Sequence, residues 1–264
     1  QDKLTLGSIL FIYQVTSLYQ IPLNKCFEIA IHYQVNTSHI ERLEQFEKDA
    51  NKPSGFEEKY GTFAHLAAIL QGRFYPTAQK ETKLFETDKL VIPKTGVTLI
   101  KGQNGTGKSV LLNYLSGYFD VDSFEGNIEL DNALTDVAYL TYPTLLVNGT
   151  VKDNLFGEAI DPEVFDMLHI DFAQKKINEN VRNLSFGEQQ KVNLLRVLSL
   201  HKNPVLLDEP FTNLDQETIH SLVDYIARHK DDTAFLIICH SDELDPIAAR
   251  IYRIEDNQIK TIKS

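Results

Sequence analysis

Three short stretches carry residue types that could act on a phosphate. In "GQNGTGKS", Gly102 to Ser109, the glycines let successive backbone N–H groups turn inward to form an anion-binding concavity. Lys108 supplies a point charge for β- and γ-phosphates, and the Ser109 hydroxyl is suited to ligate Mg2+. "PVLLDEP" closes on Asp208, which can hold Mg2+ directly or through water, and Glu209, which can polarise an attacking water as a general base. "TAFLIICH" closes on His240, a side chain able to hold or pass a proton near neutral pH.

Such groups need strands behind them. "VTLI", "VLL" and "FLIIC" are short apolar runs of the kind that form buried parallel strands, and each leads directly into one of the loaded residues. In open α/β sheets ligands bind outside the carboxyl ends of the strands, so three such ends predict one site. "VLLNYLSGYF" after the glycine-rich loop has helical spacing, and its start adds the positive end of a helix to the cradle.

The 264 residues suffice for one large domain, or one domain with an appendage, and 42% hydrophobic content supports a sizeable core. A net charge of −11 argues against a general nucleic-acid binder. Cys26 and Cys239 lie far apart and outside any metal-ligand spacing, which points to a reducing compartment without a disulfide framework. The chain opens Gln1-Asp2 and its only methionine is Met167, so it reads as a piece of something longer.

Leu4 to Asn24 carries no charge and matches the ~20 residues of a membrane-spanning helix, although Gln14, Gln20 and Pro22 interrupt it. An amphipathic surface helix or a buried helix fits the same window. Cys26 to Ala50 has helical spacing, and the charged, aperiodic "EKDANKPSGFEEKYG" reads as a linker.

With "LSFGEQQ" between the first and second stretches, the ordered set resembles the nucleotide-binding domain of ATP-binding cassette (ABC) proteins. "TNLD", Thr212 to Asp215, looks like the family's D-loop, and "HSDE" looks like its switch-histidine segment. The likeness covers roughly Phe63 to Ser264. It implies an α/β P-loop NTPase fold: a parallel sheet flanked by helices, an antiparallel β subdomain and a short helical signature subdomain, preceded by a long N-terminal helix. ATP and Mg2+ are the implied cofactors. Gly102, Asn104, Gly105, Thr106, Gly107, Lys108, Ser109 and Val110 are expected around the phosphates, with Ser109 and Asp208 toward the metal. Glu209, His240 and Lys108 are expected to be catalytic. Tyr75 in "GRFYP" resembles the family's adenine-stacking aromatic, with Phe74 as the neighbouring candidate.

Ser185 is placed to cap the helix "GEQQKVNLLRVLSL", and Gly187 to let backbone approach a ligand. In the family this helix end meets the ATP of a second domain, so Ser185, Gly187, Glu188 and Asp215 are implied contacts across a head-to-tail dimer. "LTLGSILFIYQ" onward resembles the end of an exporter's membrane domain. The resulting plan is residues 1–50 as that end, 51–62 as linker and 63–264 as the nucleotide-binding domain. The implied partners are a second such domain and the transmembrane domain of the same chain, at the cell membrane with the nucleotide-binding domain on the cytoplasmic side. No nucleic acid is expected. Two alternatives stand beside this exporter reading: an ATP-holding module with degenerate catalysis, and a soluble ABC ATPase.

The chain departs from the family pattern in several places. After "VAYL" the expected Gln is absent and Tyr142 stands there, or Thr141 with a one-residue shift. Val110 replaces a hydroxyl, removing a neutral hydrogen bond of ~0.5–1.5 kcal/mol. Phe186 and Glu188 replace Gly and Gln of the signature, and the Gly-Glu-Arg-Gly element before it is not recognisable.

Overall fold

A computed structural model describes residues 60–76, 82–116, 124–140, 144–178 and 183–264. All of them belong to one compact unit, Ser54–Ser264. The membrane-domain end expected over residues 1–50, with its long helix, lies outside the described residues, as do Thr141 and Tyr142. No helix among the described residues is long and apolar enough to cross a membrane.

Among the described residues ten strands form one sheet: β1 (Tyr60–Gly61), β2 (Leu66–Phe74), β3 (Phe85–Pro93), β4 (Gly96–Gly102), β5 (Phe124–Asp131), β6 (Ala138–Leu140), β7 (Val205–Asp208), β8 (Ala234–Ile238), β9 (Arg250–Glu255) and β10 (Gln258–Lys263). Their order is β1-β5-β2-β3-β10-β9-β4-β8-β7-β6. Strands β9, β4, β8, β7 and β6 run parallel, while β2 pairs antiparallel with β3 and β5. The parallel core and the antiparallel portion are therefore continuous through β10, which pairs antiparallel with β9 and parallel with β3. The linker expected over 51–62 gives way to the domain by Tyr60, because Tyr60 and Gly61 pair with Leu130 and Asp131. Asp131 fixes that edge, accepting from the Phe63 N–H at 2.8 Å and pairing with Lys94 at 2.7 Å.

Among the described residues four α-helices accompany the sheet: α1 (Lys108–Leu115), α2 (Pro162–Met167), α3 (Phe186–Leu198) and α4 (Gln216–His229). The central strands β4, β7 and β8 are largely apolar because both their faces are buried. Val97, Leu99, Val205, Leu207, Phe235 and Ile237 pack into one core with residues of α3 and α4. Their alternates Ile100, Leu206, Leu236 and Ile238 pack into a second core with α1 and the antiparallel strands. In that second core Phe74 lies 4.7 Å from Phe85 and 4.6 Å from Phe124, ring centre to ring centre. Burying side chains of this size contributes ~1.5–3 kcal/mol each.

Between Asn154 and Leu184 the described helical content is the end of a 3-10 turn, Asp153–Leu155, and the short α2, capped by Asp161 with Pro162 in its first turn. The helical signature subdomain is thus as brief as the sequence spacing predicts.

Candidate functional site

The glycine-rich loop joins β4 to α1. Gly107 caps α1 with φ of 91°, a left-handed conformation, and a side chain there would press on the Phe85 ring at 2.9 Å. Only glycine satisfies both conditions. Lys108, almost fully buried, turns back to donate to the carbonyls of Gly102 and Gln103, both at 2.9 Å. Burial holds its pKa below the usual lysine value, while the charges of Glu209 and Asp208 act in the other direction. Thr106 Oγ1 also donates to the Gln103 carbonyl at 2.9 Å, so two side chains pin the turn. Asn104 and Gly105 lie on its exposed outer side, and Val110 is half-buried in α1.

Strand β7 carries Asp208 to the same rim. Its carboxylate is hydrogen-bonded to the Ser109 side chain. Burial raises its pKa, against the pull of that bond and of Lys108. A hydroxyl and a carboxylate already in contact make a fitting pair of oxygen ligands for Mg2+. Among the described residues no three His, Cys, Asp or Glu side chains gather as a metal cluster.

Glu209 follows with φ of 51°, a left-handed conformation that costs ~1–2 kcal/mol for a residue with a side chain. Its own N–H donates to the Ile238 carbonyl at 2.9 Å, which ties the turn to β8. Backbone strain of this kind clusters at functional sites. Burial raises the Glu209 pKa above the usual value, opposed by His240 and Lys108 and reinforced by Asp208. His240 Nε2 stands 3.0 Å from Glu209 Oε1 and 3.0 Å from Asn104 Oδ1. Both neighbours present oxygen atoms to the same ring nitrogen. The loop's outer rim, the second carboxylate and the imidazole are therefore linked side chain to side chain.

The signature turn lies at the start of α3. Ser185 caps it by accepting from the Glu188 N–H, and the Glu188 carboxylate accepts from the Ser185 N–H at 2.6 Å, a reciprocal capping box. Glu188 also pairs with Lys175 at 3.2 Å. Burial works to raise its pKa, but the Ser185 N–H and Lys175 outweigh it and hold it low. A Cβ on Gly187 would lie 2.6 Å from the Asn213 carbonyl oxygen, so the close approach made here is by the loop after Glu209. Asp215 caps α4, accepting from the Thr218 N–H at 2.8 Å and pairing with Lys191 of α3 at 3.3 Å. Its pKa falls to about 2, chiefly through that N–H. Among the described residues, no hydrogen bond or ion pair joins Ser185, Gly187 or Glu188 to the glycine-rich loop of the same chain.

Phe74 is consumed by the aromatic core. Tyr75 is also largely buried, its hydroxyl donating to Glu125 at 3.0 Å. Two further positions escape motif reading. Gln190 donates to the carbonyls of Glu209 and Pro210, at 3.4 and 3.0 Å. Lys101, one residue before the loop, reaches Asp242 and Asp245. A lysine inside an apolar strand run was the signal available for the second, and the amide at Gln190 offered none.

The ABC transporter family matches residues 85–212. The chain is similar to the ABC transporter ATP-binding protein YtrE of Bacillus subtilis, 28% identical over 69% of this chain and 89% of that protein. It is also similar to a probable ABC transporter ATP-binding/permease protein of Haemophilus influenzae, 27% identical over 69% of this chain. A third relative, the ATP-dependent lipid A-core flippase of Photobacterium profundum, is 25% identical over 70% of this chain. The chain spans 37% and 35% of the length of these last two. An ABC transporter domain is thus matched over residues 85–212, the stretch that holds the cradle between β4 and α1, the strand-end carboxylates and the signature helix.

Proposed function

We propose that this chain hydrolyses ATP, as the energy-converting domain of an exporter, through a head-to-tail dimer. The observation that carries the reading is the side-chain path from Asn104 through His240 to Glu209, which joins the phosphate loop to a carboxylate fit to act as base. Lys108 and the loop N–H groups hold the phosphates, with Ser109 and Asp208 turned to the metal. Bound Mg2+ supplies charge neutralisation at the phosphate oxygens. Glu209 accepts a proton from water as the water oxygen bonds to the γ-phosphorus and the bond to ADP breaks. His240 engages Oε1, which leaves Oε2 for that proton. The elevated pKa of Glu209 makes it a stronger base than a solvated carboxylate.

The dimer is supported by the signature turn, whose contacts within the chain run to Lys175 and Asn213 and leave its own cradle untouched. Export is supported by the relatives named as a flippase and as an ATP-binding/permease protein, and by the uncharged Leu4 to Asn24 stretch. The same stretch supports placement at the cell membrane, with this domain on the cytoplasmic side. Tyr75 is the proposed adenine contact.

The test is Mg-ATP hydrolysis across a range of protein concentrations, with Glu209→Gln as the blank. Activity per molecule that rises with concentration and disappears in the variant is expected. Concentration-independent activity would remove the dimer, and activity retained by the variant would remove Glu209 as base.

A further inference from the structure

Lys101 is the penultimate residue of β4, with its side chain 8% exposed among apolar strand neighbours. Its ammonium lies 2.6 Å from Asp242 Oδ1 and 2.6 Å from Asp245 Oδ1. Burial opposes the charge, yet the two carboxylates outweigh it and raise the pKa above that of an ordinary lysine. A buried ion pair is weak evidence of a role in stability alone. Exchanging a buried ion pair for an apolar residue of similar volume is often neutral or favourable. Asp242, moreover, is 87% exposed and would remain hydrated without its partner.

What a lysine supplies here is direction. Asp242 follows His240 by two residues, and Lys101 precedes Gly102, the carbonyl of which accepts from Lys108. Two links therefore join the same pair of loops on either side of Gly102: Lys101 to Asp242 and Asp245, and Asn104 to His240. Just before the first link, Cys239 is buried and its thiol, with a pKa pushed up to about 12 by burial, donates to the Ser241 carbonyl at 3.6 Å. The segment from Cys239 to Asp245 is held at both ends, with His240 inside the span.

We propose that Lys101 is a positioning residue that fixes His240 against Glu209, acting through Asp242 and Asp245. This rests on the hydrolytic reading above. Displacement of a catalytic group by about 1 Å can cost on the order of a hundredfold in rate. Losing one tether while the strand stays in place should therefore lower kcat by about ten- to a hundredfold, with little change in the KM for ATP.

The experiment compares Lys101→Met, Lys101→Arg, His240→Ala and the Lys101→Met/His240→Ala double variant, each checked for an unchanged melting profile. Rates are read together with the imidazole NMR signals of the full chain. The His240 signal is the one absent from His240→Ala. Lys101→Met should lower kcat and move that signal, Lys101→Arg should restore both, and the double variant should be no slower than His240→Ala alone. An unmoved His240 signal in Lys101→Met overturns the inference whatever the rate. An additive loss in the double variant overturns it as well. A wild-type chain without hydrolysis would count against the proposed function, and the NMR comparison would still decide the role of Lys101.

Discussion

Nε2 of His240 lies 3.0 Å from Oε1 of Glu209, and the two residues leave adjacent parallel strands. Neither is bonded to the other through sequence proximity. Their meeting depends on the pairing of Asp208 with Ile238 at the shared end of β7 and β8.

Because burial holds the Glu209 pKa above the ordinary carboxylate range, with His240 pulling it down, activity should fail on acidification earlier than for a solvated base. As the proposed base, Glu209 acts in its deprotonated form, so the rate should rise with pH through that pKa. His240→Ala removes a lowering influence and should move the acid limb of the normalised kcat profile to higher pH. Hydrolysis rates from pH 5 to 9 for both proteins check this, and an acid limb that stays in place would separate His240 from Glu209.

Lys108→Met should weaken ATP binding rather than folding. Charge-assisted hydrogen bonds contribute ~1.5–3 kcal/mol, so Kd should rise roughly ten- to a hundredfold. Fluorescent-nucleotide titration measures the change. The melting temperature in the absence of nucleotide should fall little, since Lys108 holds only the two loop carbonyls.

Asp215→Ala should destabilise the domain by about 1 kcal/mol through loss of the α4 cap. The folded-state pKa of about 2 lies below the ordinary 3.8, so the contribution is present above pH 3.8 and disappears as pH falls through 2. Denaturation of both proteins at pH 6 and pH 2.5 reads the sign. The difference should be smaller at the lower pH, and a constant gap would point to lost packing.

Gly187→Ala would bring a methyl group 2.6 Å from the Asn213 carbonyl. Overpacking of this kind costs about 1–3 kcal/mol, and here it would push the loop after Glu209 away from α3. Reduced thermal stability and reduced hydrolysis are expected together. Unchanged stability would show that the two segments give way freely.

The parts legible in the sequence were those built from local pattern. The apolar runs before Gly102, Asp208 and His240 announce buried strands, and Ser185 with Glu188 three residues on announces a capped helix. Position across the sheet was not legible. Lys101 and Asp242 stand 141 residues apart, and nothing local shows that β4 and β8 are neighbours. Gln190 was invisible for the same reason, since its partners are backbone carbonyls that carry no side-chain signature. The continuity of the antiparallel strands with the parallel ones escaped for a third reason. It is made by β10, an exposed strand whose "QIKTIK" offers little hydrophobic alternation.

Helix α3 begins at the signature cap, and within its first two turns Gln190 holds the carbonyls behind Glu209 while Lys191 holds the cap of α4. Gly187 rests against Asn213 on the same stretch. Under the proposed dimer and mechanism, contact with a neighbouring nucleotide and the setting of Glu209 would share one short lever that bears on Asn213. A shift of the helix tip would reach Glu209 in a single mechanical step, without a relay through the sheet, and timing between two sites would be set by how stiffly that one tip is held.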